Sequence, residues 1–400
     1  MLRGCLLLTL PSVARSSRRS PDIGHHQPVE ADVIVAGLGA HGSATAYALS
    51  KRGANVLGFD RFARGHTLGS SGGRSRIIRT AYYEHSDYVP LLRRAWERWR
   101  ELERESGEHL LTETGGLYAG PPDGELVGGA LKSVRSHGLE HELLDTDDLR
   151  ARFPVFEWLE GWTGIVERQA GWLAPERCIE AHLRLAEANG ATLRFGEPVE
   201  RWESTMEGVR VQTQTGQFDA ARLVLAAGPW MSTLAKSIAT ELWVERNVLF
   251  WFEPRGDRKE FERLPVYIIQ DTDRIFYGFP YIGGQGVKVA GLHFGDHADP
   301  DTIDRAASAH DEERVRDWLR RRVPLLDGPP REAKVCMYTN TPDAHFIIDL
   351  LVEDTNVVVA SACSGHGFKF ASVVGEICAD LALDGETAYP IGFLAAERLA

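Results

Sequence analysis

The sequence predicts a mixed α/β (α+β) fold, in which a discontinuous domain with a Rossmann-like parallel sheet alternates along the chain with a mainly antiparallel domain. Three patterns support this prediction. A glycine-rich turn at residues 37–42 lies between a short apolar strand and a helix. Residues 223–228 (L-V-L-A-A-G) have the composition of a buried strand that rejoins the same sheet. Residues 245–295 alternate apolar and polar side chains, which is typical of antiparallel strands that cover a binding site.

The first strand and helix have the pattern of a dinucleotide-binding unit. The apolar strand 33–36 leads into Gly37-x-Gly39-x-x-Gly42, and after the helix a second strand ends at Asp60, 18 residues beyond the last glycine. The first glycine allows the tight turn, the second lets a pyrophosphate approach the backbone, and the third lets helix and strand pack closely. Asp60 can accept hydrogen bonds from a ribose. The alternative is a glycine-rich turn in an unrelated α/β domain.

The remaining elements follow from periodicity and from helix-breaking residues. Apolar residues spaced three and four apart predict a helix at 87–107, which Gly107 ends. Further helices are predicted at 175–189, at 311–323 before Pro324, and from about 369 to 383. Short strands are predicted at 191–195, 199–204, 209–213, 223–226 and 357–360.

Composition restricts the class of protein. With 43% hydrophobic and 26% charged residues, the 400-residue chain has the composition of an ordinary soluble protein. The net charge of −12 argues against a nucleic-acid partner, whose phosphates require a basic face. No segment approaches the ~18 consecutive apolar residues of a membrane span. The five cysteines are widely spaced and contain no C-x-x-C, so a reducing compartment, the cytoplasm, is predicted.

Residues 1–30 precede the first strand and form an extension. The extension contains Arg15, Arg18 and Arg19 among serines, and its first acidic residue is Asp22. This composition resembles an organelle transit peptide and, more weakly, a secretory signal. We favour a disordered tail or a start codon placed too far upstream.

Four cationic residues lie in contexts that suggest chemistry. Arg76 and Arg79 flank two isoleucines, where a guanidinium needs an anionic partner such as a substrate carboxylate or a flavin carbonyl; two structural salt bridges are the alternative. Lys369 lies near the start of a predicted helix, where a cation opposes the helix dipole and hints at an anionic ligand. On the residues alone, a lysine that reaches solvent is favoured there. Lys288 points either into a cavity or, more commonly, onto a solvated strand face.

Two other groups are weaker candidates. Cys336, in K-V-C-M-Y-T, is more often a small buried hydrophobe than a reactive thiol when it is considered alone. Asp296, His297, Asp299 and Asp301 lie close together beside proline and glycine, so they are interpreted as a surface loop. No metal site is expected.

Together the motifs resemble those of the monomeric sarcosine oxidase and N-methyltryptophan oxidase family, flavoenzymes of the D-amino-acid-oxidase type fold. The resemblance runs collinearly from Asp32 to about Leu383. It rests on six stretches: G-L-G-A-H-G, S-R-I-I-R-T-A-Y, Y-V-P-L-L-R-R-A, I-F-Y-G-F-P, V-C-M-Y-T-N-T-P-D-A-H-F-I-I-D and S-G-H-G-F-K-F-A-S-V-V-G-E. It implies an FAD-binding domain at 31–85, 165–240 and 335–390, and a substrate domain at 86–164 and 241–334.

The resemblance assigns roles to particular residues. It implies FAD, attached by a thioether between Cys336 and the flavin 8α-methyl group. Arg79 and Lys369 match the pair that clamps the substrate carboxylate, and Arg76 should lie against the flavin. Lys288 matches the lysine thought to activate dioxygen.

The complete predicted sets are as follows. The predicted catalytic residues are Lys288, Arg79, Lys369, Arg76, Tyr277, Tyr338 and His293, the two tyrosines as pocket-lining residues. The predicted cofactor-binding residues are Gly37, Gly39, Gly42, Asp60, Ser70, Arg76, Val199, Gly228, Cys336, Gly365, Gly367 and Lys369.

Two departures from the family pattern concern the substrate pocket. The run 69–73 (G-S-S-G-G) lacks a histidine that many relatives have two residues after the G-S. Leu292 stands where relatives place a histidine four residues after Lys288, and His293 is one step further. One step turns a strand side chain to the other face, unless a bulge restores the register. Both departures favour a larger or more apolar N-alkyl amino acid than sarcosine.

The resemblance therefore implies an FAD-dependent oxidase of secondary amino acids. A hydride equivalent passes from the carbon next to nitrogen to flavin N5, dioxygen becomes hydrogen peroxide, and the imine hydrolyses. The expected partners are the secondary amino acid and dioxygen, with no nucleic acid or membrane, and the protein is expected to be a monomer. The alternatives are a flavin-dependent dehydrogenase with a non-oxygen acceptor, an NAD-dependent dehydrogenase, and a non-catalytic flavin-binding relative.

Overall fold

The computed structural model describes residue 1 and residues 30–272, 274–361 and 364–399. The interpretation of the N-terminal extension lies outside the described residues, apart from residues 1 and 30. In chain order, the strands of the described residues are β1 (Ala31–Ala36), β2 (Val56–Asp60), β3 (Arg76–Ile78), β4 (Leu111–Glu113), β5 (Gly116–Gly120), β6 (Glu142–Leu144), β7 (Thr163–Glu167), β8 (Gly171–Leu173), β9 (Thr192–Phe195), β10 (Val199–Thr205), β11 (Gly208–Thr213), β12 (Gln217–Leu225), β13 (Trp243–Phe252), β14 (Val266–Asp271), β15 (Arg274–Tyr281), β16 (Val287–Gly291), β17 (Asp296–His297), β18 (Glu332–Asn340), β19 (Ile347–Leu351) and β20 (Asp354–Ser361).

The helices of the same residues are α1 (Ala40–Lys51), α2 (Val89–Ser106), α3 (Glu125–His137), α4 (Thr146–Arg152), α5 (Pro175–Ala188), α6 (Met231–Leu234), α7 (Arg258–Glu262), α8 (Ala309–Arg322) and α9 (Ala371–Asp384). No helix of the described residues is both long and apolar enough to cross a membrane. Those residues also contain no cluster of three or more His, Cys, Asp or Glu that could hold a metal ion.

The first sheet is the predicted parallel one. Its parallel strands lie in the order β9–β2–β1–β12–β20, with β19 antiparallel to β20 and the β10–β11 hairpin antiparallel to the first half of β12. Leu223 pairs with Ile34 on one side and with Val357 on the other. The prediction that residues 223–226 rejoin the sheet is therefore confirmed. Helices α5 and α9 both pack against α1, which covers one face of the sheet with apolar side chains.

The second sheet is mainly antiparallel, as the alternation at 245–295 predicts. Its order is β18–β13–β16–β15–β14–β5–β7–β6, and β17 also pairs with β13. Only the β5–β14 pair in this sheet is parallel among the described strands. The long strands β13 and β18 pair from Trp243 opposite Asn340 to Trp251 opposite Glu332. A small third sheet, β3–β8–β4, begins at Arg76.

The helix boundaries follow the predicted signals closely. Gly107 adopts a left-handed conformation (φ 70°) and ends α2, where only residues without a Cβ penalty are comfortable. Pro175 begins α5, and Pro324 follows the end of α8. The last helix begins two residues later than predicted, because Phe368–Phe370 form a 3-10 turn before it. Asp296 and His297 pair with β13, so the segment interpreted as a loop contains a short strand.

Two elements lie on a different side of the predicted domain boundaries. The apolar residues of α2 belong to the core of the first sheet, although the substrate domain was predicted to begin at residue 86. Strand β18 belongs to the second sheet, although the final FAD-binding segment was predicted to begin at residue 335. An amphipathic pattern shows that a helix has a buried face, but it does not show which sheet buries it. The division into domains stays a prediction.

Candidate active site

One cavity is lined by residues of all three sheets and holds nearly all the predicted site residues. Those that line it are Gly37, Gly39, Asp60, Ser70, Arg76, Arg79, Val199, Gly228, Tyr277, Lys288, Cys336, Tyr338, Gly365, Gly367 and Lys369. Gly42 and His293 do not line it. The chain therefore brings together residues that are up to about 330 positions apart.

The glycine turn after β1 forms one end of the cavity. A Cβ on Gly37, whose φ is +96°, would lie 2.5 Å from the Ala226 carbonyl oxygen, and a Cβ on Gly42 would lie 1.7 Å from that of Gly37. Both positions therefore require glycine, and Gly42 acts through packing inside the turn. A Cβ on Gly39 would meet nothing within 4 Å, and no side chain caps the helix that follows. Open space at an uncapped helix N-terminus suits a phosphate.

Asp60 braces this turn at the end of β2. Its Oδ2 accepts a hydrogen bond from the Leu38 N–H, and its Oδ1 accepts one from the Phe62 N–H, both at 2.9 Å. The side chain is buried but lines the cavity. Because each carboxylate oxygen can accept more than one hydrogen bond, Asp60 can also bind ribose hydroxyls.

Two unpartnered polar atoms indicate that the cavity takes a ligand. His41 Nε2 and Ser70 Oγ are buried and have no hydrogen-bond partner among the described residues, yet both residues line the cavity. Buried polar atoms without a partner are uncommon in folded proteins. Burial also lowers the pKa of His41 to about 4, so its ring is neutral at physiological pH. With the glycine turn and Asp60, these atoms fit a dinucleotide.

Arg76 organises the opposite end of the cavity. Its guanidinium donates to the carbonyl oxygens of Ser70 (2.8 Å), Gly72 (2.6 Å) and Ser75 (2.9 Å). Its NH2 also lies 3.7 Å from Cys336 Sγ, and that thiol donates to the Ser70 carbonyl at 3.4 Å. Arg76 therefore fixes the loop before β3 and holds a positive charge beside a buried thiol.

Lys288 lies next to Arg76 and is fully buried. Its Nζ donates to the carbonyl oxygens of Gly73 (2.9 Å) and Ser75 (2.7 Å), and it lies 4.5 Å from the ring centre of Phe279. The alternative of a solvated strand face is wrong, because the residue is 2% exposed. Burial, together with the nearby Arg76 charge, lowers the pKa of Lys288 well below its ordinary value.

Arg79 forms a buried ion pair with a residue that the sequence analysis missed. Its NH2 lies 2.5 Å and 2.6 Å from the two carboxylate oxygens of Glu84, and its NH1 donates to the Ala81 carbonyl. Burial disfavours both charges, but for each residue the opposite charge of its partner and the other nearby groups together have the larger effect. The pKa of Arg79 is therefore raised and that of Glu84 is lowered. The predicted alternative of a salt bridge therefore holds for Arg79. The available signal was an acid five residues further on, in R-T-A-Y-Y-E.

Lys369 lies beside this pair, in the 3-10 turn before α9. It is 5% exposed, so the alternative of a lysine that reaches solvent is wrong. Its Nζ donates to the His366 carbonyl at 2.7 Å and lies 5.2 Å from the ring centre of Tyr82. Burial and the Arg79 charge lower the pKa of Lys369 to about 7, although Glu84 opposes this shift.

The neutral side chains of Tyr277, Tyr338 and His366 also line the cavity and form hydrogen bonds. The hydroxyls of Tyr277 and Tyr338 lie 3.0 Å apart, and burial raises the pKa of Tyr277 to about 12. His366, also missed from the sequence, has Nε2 3.0 Å from the Ala344 carbonyl and Nδ1 2.5 Å from the Tyr82 hydroxyl. Because a carbonyl only accepts, Nε2 must donate and Nδ1 accepts from Tyr82. Burial lowers the pKa of His366 to about 3, which keeps its ring neutral.

His293 is the predicted catalytic residue that does not join the others. The chain leaves β16 at Gly291, and His293 takes a positive φ of 53°, so no bulge returns its side chain to the cavity. Its Nδ1 lies 2.9 Å from Glu245 Oε2, and 39% of its side chain is exposed. Leu292 lines the cavity in its place.

Apolar side chains form one wall of the cavity near the cations. Ile77, Ile268, Ile275 and Leu292 all line it and also contact the hydrophobic cluster around Tyr83 and Tyr118. Three of them, Ile77, Ile275 and Leu292, are only partly buried. Because they pack inside the protein, the exposed part of these side chains faces the cavity.

Comparisons with known proteins agree with this geometry. The sequence family described as "DAO: FAD dependent oxidoreductase" matches residues 32–381. The monomeric sarcosine oxidase of Streptomyces avermitilis is 44% identical over 375 residues, which are 92% of this chain and 98% of that protein. The N-methyl-L-tryptophan oxidase of Yersinia pestis is 34% identical over 361 residues, 88% of this chain and 95% of that protein. The solved structure of NikD, described as an unusual amino acid oxidase essential for nikkomycin biosynthesis, has a TM-score of 0.80 at 28% identity and covers 91% of this chain and 97% of NikD.

Proposed function

Since the chain belongs to the DAO family of FAD-dependent oxidoreductases, we propose that it oxidises the carbon–nitrogen bond of secondary amino acids, including N-methyl amino acids, with dioxygen. The observation that carries the proposal is that Arg79, Lys369, Arg76 and Lys288 line one cavity with the dinucleotide turn. When bound, FAD supplies the redox chemistry, which is to accept a hydride equivalent and pass two electrons to dioxygen. The names of the relatives at 44% and 34% identity support the substrate class.

Arg79 and Lys369 supply the carboxylate end of the site. Glu84 is paired with Arg79 and also acts on Lys369, so two cations share one anion whenever Lys369 is protonated, and the group then has a net charge of +1. A single substrate carboxylate neutralises that charge, and its oxygens are natural acceptors for ammonium and guanidinium donors. Binding of this carboxylate in turn favours the protonated form of Lys369.

The apolar wall supports a substrate with an apolar group. Ile275 and Leu292 offer hydrocarbon surface to a bound ligand but no hydrogen-bonding group. Covering that surface with a methyl group gains less than covering it with a longer or aromatic substituent, at ~25 cal/mol per Å² of apolar surface. We therefore propose that N-alkyl amino acids larger than sarcosine are preferred.

Dioxygen is the proposed electron acceptor, and Lys288 is the residue proposed to promote its reduction. Negative charge that develops on oxygen during reduction favours the protonated form of a nearby lysine, and the protonated amine in turn stabilises that charge. The test is oxygen consumption with a secondary amino acid: one peroxide released per amino acid oxidised supports the oxidase. Turnover with a quinone but no peroxide would favour the alternative of a dehydrogenase.

Covalent attachment of FAD through Cys336 is a second part of the proposal. The thiol is buried, lines the cavity and accepts a hydrogen bond from the Arg76 guanidinium at 3.7 Å. Acid precipitation of the purified protein tests it, because attached flavin stays yellow in the pellet. Cys336→Ser is the matched control and should release its flavin to the supernatant.

Assembly and location are further parts of the proposal. Cys178, Cys336 and Cys378, the cysteines of the described residues, are unpaired, as is usual in a reducing compartment. We propose a monomer in the cytoplasm. Light scattering during size-exclusion chromatography should give the mass of one chain, and a dimer mass would contradict the proposal of a monomer.

A further inference from the structure

The loop of residues 69–76 crosses β18 in register with alternate side chains of that strand. At one end of the crossing, Cys336 Sγ lies 3.4 Å from the Ser70 carbonyl oxygen. At the other end, Arg74 and Glu332 form an ion pair of 2.5 Å. Because successive side chains of a strand point to opposite faces, residues 332, 334 and 336 face the loop together.

Lys334 lies between these two contacts and meets the loop at Gly72. A Cβ on Gly72 would lie 2.8 Å from Lys334 Nζ and 3.1 Å from its Cε, so the amine lies against the glycine. The Lys334 side chain forms neither a hydrogen bond nor an ion pair with the described residues, although it is only partly exposed. Leu249, the residue opposite it on β13, lines the cavity and packs in the same cluster as Cys336.

The charged groups around Lys334 come from every element that surrounds it. They are Arg74 and Arg76 on the loop, Glu176 at the start of α5, Lys288 on β16 and Glu332 on its own strand, and the titratable thiol of Cys336 lies on that strand as well. Burial lowers the pKa of Lys334 below its ordinary value, with Glu176 opposing and Arg76 reinforcing the shift. A lysine in this setting exchanges a proton more readily than an exposed one, whereas an arginine stays protonated.

We propose that Lys334 accepts the proton released by Cys336 Sγ when the thioether forms. This inference rests on the proposed attachment of FAD to Cys336. The positive charge of Arg76, 3.7 Å from the sulfur, faces the negative charge that develops there as the proton leaves, and the thiolate is the nucleophilic form. Over the whole step the sulfur–hydrogen bond and one carbon–hydrogen bond of the flavin 8α-methyl group break, and a sulfur–carbon bond forms. Dioxygen accepts these two hydrogens together with two electrons and becomes hydrogen peroxide, so the atoms and electrons of the step balance.

The experiment compares full-length Lys334→Met and Lys334→Arg with the wild type, all purified from the same growth conditions. Acid precipitation and intact mass give the covalent fraction of the bound flavin. Both variants should bind flavin but hold at least tenfold less of it covalently after the same time, because neither side chain accepts a proton. Lys259→Met removes an exposed lysine on α7 and should match the wild type.

A pH series separates a proton acceptor from a merely structural residue. Purified Lys334→Arg, incubated in air with its own flavin, should attach it faster as pH rises, approaching tenfold per unit, because hydroxide replaces the missing amine. Full attachment in Lys334→Arg at neutral pH, or a rate that does not respond to pH, would overturn the inference. If the wild type itself leaves no colour in the acid pellet, the proposed attachment fails instead.

Discussion

Arg79 and Glu84 form an ion pair at the cationic end of the cavity, with the Arg79 NH2 2.5 Å and 2.6 Å from the two carboxylate oxygens. The arginine is 2% exposed, so this carboxylate is its main counter-charge. A substrate carboxylate therefore joins an existing pair rather than meeting a free guanidinium. Glu84 sets the charge that a substrate must complement.

Glu84→Gln should lower the free energy of unfolding by about 3 kcal/mol, because it leaves a buried guanidinium without its partner. Urea unfolding of the flavin-loaded protein measures this change. Glu97→Gln, which removes an exposed partner of Arg94, should cost less than about 1 kcal/mol. Saturating propionate should recover more stability in Glu84→Gln than in the wild type, and equal recovery would contradict the role given to Glu84.

Lys369 should make carboxylate binding depend on pH. Since its pKa is lowered to about 7, the side chain is charged below pH 7 and loses its charge above it. The Kd of propionate, which has no amine and is fully ionised above pH 6, should change little between pH 6 and pH 7 and rise by up to tenfold per unit above pH 7. Lys369→Met should weaken binding at pH 6 by about thirtyfold, the effect of about 2 kcal/mol for a hydrogen bond to a charged group. A variant that retains the wild-type pH profile would exclude this assignment.

Lys288→Met should separate the two half-reactions. The variant loses donors to the Gly73 and Ser75 carbonyls and the charge proposed to serve dioxygen. Reoxidation by air should slow by at least a hundredfold, as expected for removal of one preorganised electrostatic group. Anaerobic reduction by substrate should change by less than tenfold. Stopped-flow absorbance of the flavin measures both rates, and an equal loss in both would assign Lys288 to substrate binding or folding.

Leu292→His should shift the choice of substrate. The change adds a polar group to the apolar wall formed with Ile275 and Ile77. The ratio of kcat/KM for N-methylphenylalanine over sarcosine should fall about tenfold, which is the discrimination expected from one hydrophobic contact. Leu143→His, at an exposed position, is the control. An unchanged ratio would show that the substituent does not reach this wall.

The local units of the fold could be predicted because each carries its own signal. Gly37, Gly39 and Gly42 identify the turn, and steric contacts with Ala226 and within the turn explain the first and third. Strands 33–36 and 223–226 were predicted as members of one sheet and pair directly. Such patterns depend only on residues that are close in sequence, so they can be recognised in a single sequence.

The rest of the site depends on contacts that no local pattern encodes. Glu84 was missed because an acid after two tyrosines has no special signature until Arg79 folds against it. His293 was included, but a positive φ after β16 turned it toward Glu245. The core that buries α2 also could not be predicted, because its apolar face fits either sheet. Packing between residues that are distant in sequence determined the Glu84 pair, the orientation of His293 and the burial of α2.

Anaerobic mixing of the flavin-loaded enzyme with N-methylphenylalanine, sarcosine, pipecolate and proline, followed by admission of air, tests the central proposal most directly. The account predicts that at least one of these secondary amino acids bleaches the flavin completely. The bleaching rate should rise with pH, because the neutral amine is the form that donates. Air should then restore the yellow colour and release one hydrogen peroxide per flavin. If every secondary amino acid leaves the spectrum unchanged, or if bleached enzyme stays bleached in air, the chain is not the oxidase proposed here.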